Sequence, residues 1–346
     1  MSQLGYFENV YPWNSITTET ISIGTNNYQM VKIPKFYVKY VDSEDQPAWY
    51  VYQSAPASAP SGYEVHPAFK RGTNTMSCFY MGAYASTDGT AATSQSGNSV
   101  VNMSINTSRK ACNALNTTLS AAISDSDKIK HGWHLVNIYE WMAVALLMTV
   151  EMGGPDMQTL LGAGTNVNYG ASSNSTSTSN WRGLYSLYGH NWEWVDGLMV
   201  NKDSIGAGKV SVFNPADPVI PTNLSEAANA TNTNGAYSGF NYTDTTAVIP
   251  TNGSGSFWTG FSVDTTTANQ YTKYCFLPKA IAASEAASST GDALWSNTSA
   301  DRVCVMGGHS NNGTKCGMFY FSLIDDASNS NDNNGFRVAK YGDGLA

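Results

Sequence analysis

Residues 306–340 read "MGGHSNNGTKCGMFYFSLIDDASNSNDNNGFRVAK". Asn, Ser, Asp and aromatic side chains crowd this stretch, which then closes on the stiff apolar-basic phrase "GFRVAK". A catalytic loop concentrates its unusual residues in a few charged groups with tuned proton affinities. Here the composition is that of a recognition surface, in which aromatic rings give contact area at little entropic cost and Ser, Gly and Asn give adaptable hydrogen bonds. A plain solvent loop has no use for "GMFYF", so the segment is expected to pack as scaffold while it displays its neighbours.

The rest of the composition fits that reading. The chain has 346 residues, enough to bury a full core in one large domain or two smaller ones. Only 13% are charged, so the polar surface is made of Ser, Thr, Asn and Gly, which suits short strands and many loops. An aromatic content of 12%, with 20 Tyr and 9 Trp, excludes disorder of the low-hydrophobicity kind. The net charge of −8, from 18 Lys plus Arg against 26 Asp plus Glu, argues against nucleic acid and anionic lipid as partners. "MSQLGYFENV" at the start has neither a cationic end nor an apolar core, so no signal peptide is expected. The longest apolar run, 142–148, falls far short of the roughly 20 residues of a membrane span, and a soluble chain without membrane insertion is expected. Cys78, Cys112, Cys275, Cys304 and Cys316 are scattered, without a C-x-x-C pair, and read as small buried residues of a chain folded under reducing conditions.

Strands are expected in 28–41, with Phe36, Val38 and Tyr40 on one face after Pro34, in "WYVYQ" at 49–53, and as short crossed strands in "HPAF" at 66–69 and "CFYMGAYAS" at 78–86. Two helices stand out. In "TSRKACNALNTTLSAAI", Thr107 or Ser108 is the expected cap, with Ala111, Leu115 and Leu119 at helical spacing. In "NIYEWMAVALLMTVEMGG", Asn137 is the cap, Glu140 completes a capping box and Gly153 is the stop. Its apolar residues cover more than one face, so this helix should be largely buried. Polar stretches at 86–99, 171–180 and 222–256 read as surface loops or insertions in one domain.

Three phrases in order carry a family resemblance. "GWHLVNIYEWMAVALLM" from 132 resembles the segment of formylglycine-generating-enzyme-like proteins in which a strand leads into a helix with a Glu-Trp pair. "GLYSLYGHNWEWVDG" at 183–197 resembles their "GLyDMsGNVWEW" phrase, and "VMGGHS…NGFRVAK" their closing "vlRGGSW…GFR". The resemblance implies an α+β architecture of the C-type lectin fold, a small twisted β core with two helices and long loop insertions. It places the domain at 28–346, after an N-terminal extension or short collar at 1–27.

Within that family the last phrase is most similar to the variable proteins of diversity-generating retroelements, especially receptor-binding proteins of phage tails. Gly307, Gly308, Asn311, Asn312, Gly313, Gly317, Phe319, Tyr320, Phe321, Leu323, Ala327, Ser328, Asn329, Asn331, Asn333, Gly335 and Arg337 fall in register with their terminal repeat. In such proteins template-guided mutation at adenines randomises Asn-type codons and leaves scaffold codons fixed. The resemblance therefore implies a variable region at 307–337 whose ligand-binding residues are His309, Ser310, Asn311, Asn312, Lys315, Tyr320, Ser322, Ile324, Asp325, Asp326, Asp332 and Asn334. Ser310, Asn312, Ser322, Ile324, Asp325 and Asp332 are expected exposed on one face, and Phe319, Phe321, Phe336 and Val338 inside. The implied partners are a host cell-surface protein or glycan and other virion tail proteins, in a homotrimer or multi-copy particle, with the virion tail as location. The alternatives are a bacterial surface or secreted variable protein of the same fold and a static structural tail protein.

An enzyme is not expected. The oxidases of this fold need two reactive thiols a few residues apart, whereas Cys304 and Cys316 are twelve apart. His131 and His134 lack the carboxylate or cysteine companions of a metal site, Asp325, Asp326 and Asp332 read better as a solvated acidic patch than as cation ligands, and "GAG" at 162–164 lacks the Lys-Ser/Thr tail of a phosphate loop. No cofactor is implied. Glu193, between Trp192 and Trp194, reads as a core carboxylate that ties backbone amides.

Overall fold

The computed structural model describes residues 3–42, 47–124, 127–128, 132–164, 168–202, 205–216, 242–264 and 270–342. Their core forms around the helix Ile138–Met152, which local sequence delimits at both ends. The Asn137 side chain accepts from the amides of Tyr139 and Glu140, Glu140 reaches back to the Asn137 amide, and Gly153 at φ +81° ends the helix in the left-handed region. Every residue from Ile138 through Met148 is buried. Polar atoms on its large side chains tie it outward: Trp141 Nε1 donates to the Met318 carbonyl at 2.8 Å and Tyr139 Oη to that of Phe213 at 2.6 Å.

Two sheets flank this helix, giving an α+β architecture. The smaller runs Thr17–Ile23, Asn26–Pro34, Cys78–Gly82, Val338–Tyr341, Trp133–Leu135, and all its pairs are antiparallel. The larger runs Tyr242–Val248, Lys209–Phe213, Trp192–Val200, Arg302–Gly307, Gly317–Leu323, Ala293–Ser296, Asn252–Ser262, Leu277–Ile281. Two pairs in it are parallel: Ala293–Ser296 with Gly317–Leu323, and Asn334–Phe336 with Trp192–Val200. The end of the chain therefore belongs to both sheets. Residues 334–336 complete the large one and 338–341 the small one, with Arg337 at the joint.

Arg337 is fully buried and spends its guanidinium across that joint. Its Nε and Nη2 meet Glu193 Oε2 and Oε1 at 3.0 and 2.7 Å, Nη1 donates to the Gly82 carbonyl at 2.9 Å, and Nη2 reaches the Tyr185 carbonyl at 2.9 Å. Glu193 therefore holds a guanidinium and not the backbone amides expected of it. Burial raises its carboxyl pKa, and Arg337 opposes the rise.

Several other expectations are corrected. Ser104 caps the helix Ile105–Ala114, in a capping box with Thr107, so the helix starts three residues earlier than a Thr107 cap would place it, and Leu119 lies past its end. The segment 28–41 divides at Lys35 and Phe36 between two sheets: Tyr37–Val41 joins Ala48–Val51 and Glu64–Val65 in a three-stranded sheet. Pro67–Phe69 is a 3-10 turn capped by His66, because proline at the first helical position favours a turn over a strand. Residues 13–27 are tied to the same core, since Trp13 Nε1 donates to the Leu147 carbonyl at 3.0 Å and Thr17–Ile23 pairs with Asn26–Pro34.

The polar stretches 86–99 and 171–180 are loops, exposed at Asp88, Thr90, Gln95, Ser96, Asn98, Ala171, Thr176 and Thr178, but part of each turns inward. Ser86, Ser94, Ser99, Asn174, Ser177 and Ser179 are buried. Short side chains bond the backbone there where longer ones would not fit: the Asn174 amide donates to the carbonyls of Ala85 and Gln95 and accepts from the Gly97 amide, and Ser179 Oγ donates to the Tyr188 carbonyl. Of the stretch 222–256, residues 222–241 lie outside the described residues, while Tyr242–Val248 and the start of Asn252–Ser262 are strands.

Two predictions follow from buried charge and buried imidazole. Arg337→Met should cost about 3–5 kcal/mol, because it strands a buried carboxyl. Adding Glu193→Met should recover only part of that loss in urea melts, since the Gly82 and Tyr185 carbonyls still lack a donor. Burial lowers the pKa of His66 to about 3 and that of His190 to about 4, from the ordinary histidine value of 6.5. The unfolded chain takes up these protons first as pH falls, so stability should decline from pH 6.5 toward 4. In His66→Asn, which keeps an acceptor for the Ala68 amide and removes the titration, the slope of Tm against pH should be shallower.

Candidate binding site

The strand Gly317–Leu323 is buried along its whole length, yet its two faces serve different surroundings. Phe319 and Phe321 pack toward Phe276 and Trp258, with ring centroids 5.5 and 6.4 Å apart. Period-two alternation sends Tyr320 and Ser322 to the opposite face, where Tyr320 meets Trp192 edge to face at 4.6 Å and its hydroxyl accepts from Trp295 Nε1 at 2.6 Å. Above this face opens a pocket of about 180 Å³, lined by Trp192, Trp295, His309, Asn312, Ser322, Ile324, Asp325, Asn331, Asn333 and Asn334.

The turn over one side of the pocket is built by two glycines. Gly307 and Gly308 have φ of +92° and +80°, and a Cβ on Gly308 would lie 2.7 Å from both Cys316 Sγ and the Tyr320 ring. The chain can turn here only because both residues lack a side chain. His309 then caps the turn Ser310–Lys315: its Nδ1 accepts from the Asn311 amide at 3.3 Å, and Asn312 Oδ1 accepts from the His309 amide at 2.8 Å. Burial holds the His309 imidazole below the usual histidine pKa, with Asp332 opposing, so the ring is neutral at neutral pH.

Six of the twelve candidate residues meet at the pocket: His309, Asn312, Ser322, Ile324, Asp325 and Asn334. The other six lie elsewhere. Ser310 Oγ accepts from the Tyr169 amide at 2.8 Å, Lys315 Nζ donates to the Gly255 carbonyl at 2.7 Å, and Tyr320 is fully buried beneath the two tryptophans. Asp326 accepts from the amide and hydroxyl of Ser328, which lowers its carboxyl pKa, and Asn311 and Asp332 are exposed.

The expected division between inner and outer residues holds on the inner side, where Phe319, Phe321, Phe336 and Val338 are all buried. On the outer side, Ser310, Asn312 and Ile324 are half-buried and Asp332 is exposed, but Ser322 and Asp325 are only 4% and 6% exposed. Strand pairing is the reason. Ser322 lies between Val305 and Trp295 in register, and the Asp325 carbonyl accepts from the Val303 amide at 3.0 Å. Both form the floor of the pocket and not an open face. Burial raises the Asp325 carboxyl pKa, although Asn329 Nδ2 donates to it at 2.6 Å.

Trp295 was missed by sequence reading, and Trp192 entered it only as a neighbour of Glu193. Asn331 and Asn333 were read as pattern positions; their carbonyls accept from the Asn102 and Trp192 amides, and they line the pocket.

No protein-family model and no curated protein matches the chain. Among solved structures it is similar to Treponema denticola variable protein 1, at 13% identity and a TM-score of 0.38 over 94% of this chain and 99% of that one. It is also similar to a Major Tropism Determinant I1 variant, at 11% identity and a TM-score of 0.32 over 94% of this chain and 81% of that one. TM-scores this low do not establish a shared fold.

The remaining candidate chemistry is structural. All five cysteines are buried and none forms a disulfide. Burial raises the Cys304 and Cys316 thiol pKa values, and Cys316 Sγ donates to the His309 carbonyl at 3.3 Å. His131 lies outside the described residues, and His134 Nε2 sits 2.9 Å from Glu140 Oε1, stacked on Tyr341. Among the described residues no cluster of His, Cys, Asp and Glu has the arrangement of a metal site.

Stability should separate floor from rim. Tyr320→Phe removes the acceptor of the Trp295 N–H and should cost about 1–3 kcal/mol, whereas Asp332→Ala should stay within about 0.5 kcal/mol. Thermal melts of the two variants, side by side, check this.

Proposed function

We propose that the chain is a non-enzymatic ligand-binding protein that recognises its partner through the face formed by residues 309–334. The observation that carries this is convergence. Side chains from four separate stretches, around 192, 295, 309–312 and 322–334, line one open pocket, while the residues between them are locked into two sheets and a buried ion pair. A rigid scaffold with adaptable polar groups at its surface is what recognition needs. Thiols raised in pKa by burial are poor nucleophiles, which supports binding over catalysis.

The finer reading rests on the sequence resemblance. In it the protein has a C-type lectin fold, belongs to the variable proteins of diversity-generating retroelements, and attaches a phage tail to its host through a cell-surface protein or glycan. Multiple copies on one particle, as in a homotrimer beside other tail proteins, would let modest single-site affinities add. Two features of the pocket support diversification in particular. Asn312, Asn331, Asn333 and Asn334 carry the codon type that adenine-directed mutation alters, and Gly307, Gly308, Gly317 and Arg337, which the turns and the ion pair require, do not.

The test is adsorption of the purified chain to host cells. A triple change at Asn312, Ile324 and Asp332 should abolish or redirect binding, and Cys316→Ala should leave it within about threefold, the equivalent of less than 1 kcal/mol. Loss of a thiol-dependent oxidation in Cys316→Ala, with the triple change silent, would reverse the assignment. Neighbouring DNA with a reverse-transcriptase gene and a near-copy of the codons for 307–337 is expected for the variable reading; its absence would favour a static tail protein.

A further inference from the structure

The hydrogen-bonding capacity left open in the pocket is lopsided. Asn334 is 1% exposed, and its Nδ2 makes no well-formed hydrogen bond among the described residues, although it lies close enough to the Asp325 carboxyl to help lower that group's pKa. A buried N–H in this state is rare and costly, and here it borders a pocket into which a ligand oxygen would fit. Asn312 commits its Oδ1 to the His309 amide, which leaves Nδ2 to donate. His309 commits Nδ1 as an acceptor, which assigns the ring proton to Nε2. Asp325 accepts from Asn329 and is approached by Asn334, so what capacity its carboxyl has left is an acceptor's. Trp295 commits its N–H to Tyr320, so what it has left to offer is the carbon surface of its ring.

A ligand that fits must bring several oxygen lone pairs, at least one hydroxyl hydrogen for Asp325, and a carbon face for the indoles. A small anion is disfavoured, since no lysine or arginine is among the lining residues. An ammonium group would suit Asp325 and the aromatic rings but would leave the three donors unanswered, and an apolar ring would leave every polar group desolvated and unpaired. The volume of about 180 Å³ suits a single six-membered ring, since a cavity of roughly 150 Å³ holds benzene. We infer that the pocket binds one uncharged pyranose ring of a glycan, with Trp192 and Trp295 against its C–H faces and Asn312, Asn331, Asn334, His309 and Asp325 on its hydroxyls. The inference deepens the reading of this face as a binding surface and rests on it.

Methyl pyranosides of glucose, galactose and mannose and N-acetylglucosamine, titrated into the full chain, give a direct test through tryptophan fluorescence and saturation-transfer NMR. Choline and inorganic phosphate serve as comparison ligands. At least one sugar should bind saturably. Asn312→Asp, which keeps the acceptor for the His309 amide and removes the donor, should weaken it about tenfold, as should the exposed-site change Asn331→Ala. Lys315→Ala should leave sugar affinity unchanged. Saturable binding of choline or phosphate with no sugar bound would overturn the inference, as would sugar binding indifferent to both asparagine changes. Host-cell adsorption that excess sugar fails to compete would overturn it too, while leaving the binding face itself in place.

Discussion

One guanidinium holds the two largest sheets of this protein in register. Arg337 lies between residues 334–336, which pair with Trp192–Trp194 in the large sheet, and residues 338–341, which pair with both neighbours in the small one. At that joint the backbone leaves one sheet for the other, and the carbonyls of Gly82 and Tyr185 face the guanidinium and accept from it. A planar group with five N–H donors can meet two carbonyls and a carboxylate at once, which neither lysine nor any neutral side chain can do. The cost is a buried carboxyl at Glu193, whose pKa burial raises against the pull of the arginine it faces.

Everything displayed on the candidate face depends on that joint. The segment 309–334 leaves the large sheet at Gly307, gives it the buried strand Gly317–Leu323 and rejoins it at Asn334, so what is free to vary lies in the turns on either side of that strand. Tyr320 carries the division between scaffold and display. Its ring supports Trp192, its hydroxyl fixes Trp295, and its own surface is wholly covered. A residue implied by resemblance to touch ligand thus acts by positioning two aromatic rings that line the pocket. The double glycine does the same for the opposite rim, because no side chain fits where the turn passes over Tyr320 and Cys316.

How much of this was legible in the sequence depended on how local each cause was. Asn137, Glu140 and Gly153 delimit a helix by contacts within a few residues, and they were read correctly. Phe319 and Phe321 betray their inward face by alternation alone. Ser322 and Asp325 were misread because their burial comes from pairing with strands 293–296 and 302–307, and parallel pairing leaves no trace in local pattern. Trp295 was missed for the same reason. The Ser- and Asn-rich stretches at 86–99 and 171–180 are loops as read, but their inward-turned side chains went unforeseen because a buried serine that bonds backbone and a solvated one look alike in sequence. Glu193 was recognised as buried, but its partner lies 144 residues away.

The central claim is that residues 307–337 alternate between positions the fold requires and positions it leaves free. A saturation scan of this segment, displayed on cells and sorted for protease resistance without any ligand, measures that alternation position by position. The account predicts broad tolerance at His309, Asn311, Asn312, Thr314, Ile324, Asn331, Asp332 and Asn333, and near-complete intolerance at Gly307, Gly308, Gly317, Phe319, Tyr320, Phe321, Phe336 and Arg337. Uniform intolerance across the segment, or tolerance at Gly308 and Arg337 equal to that at Asp332, would contradict it.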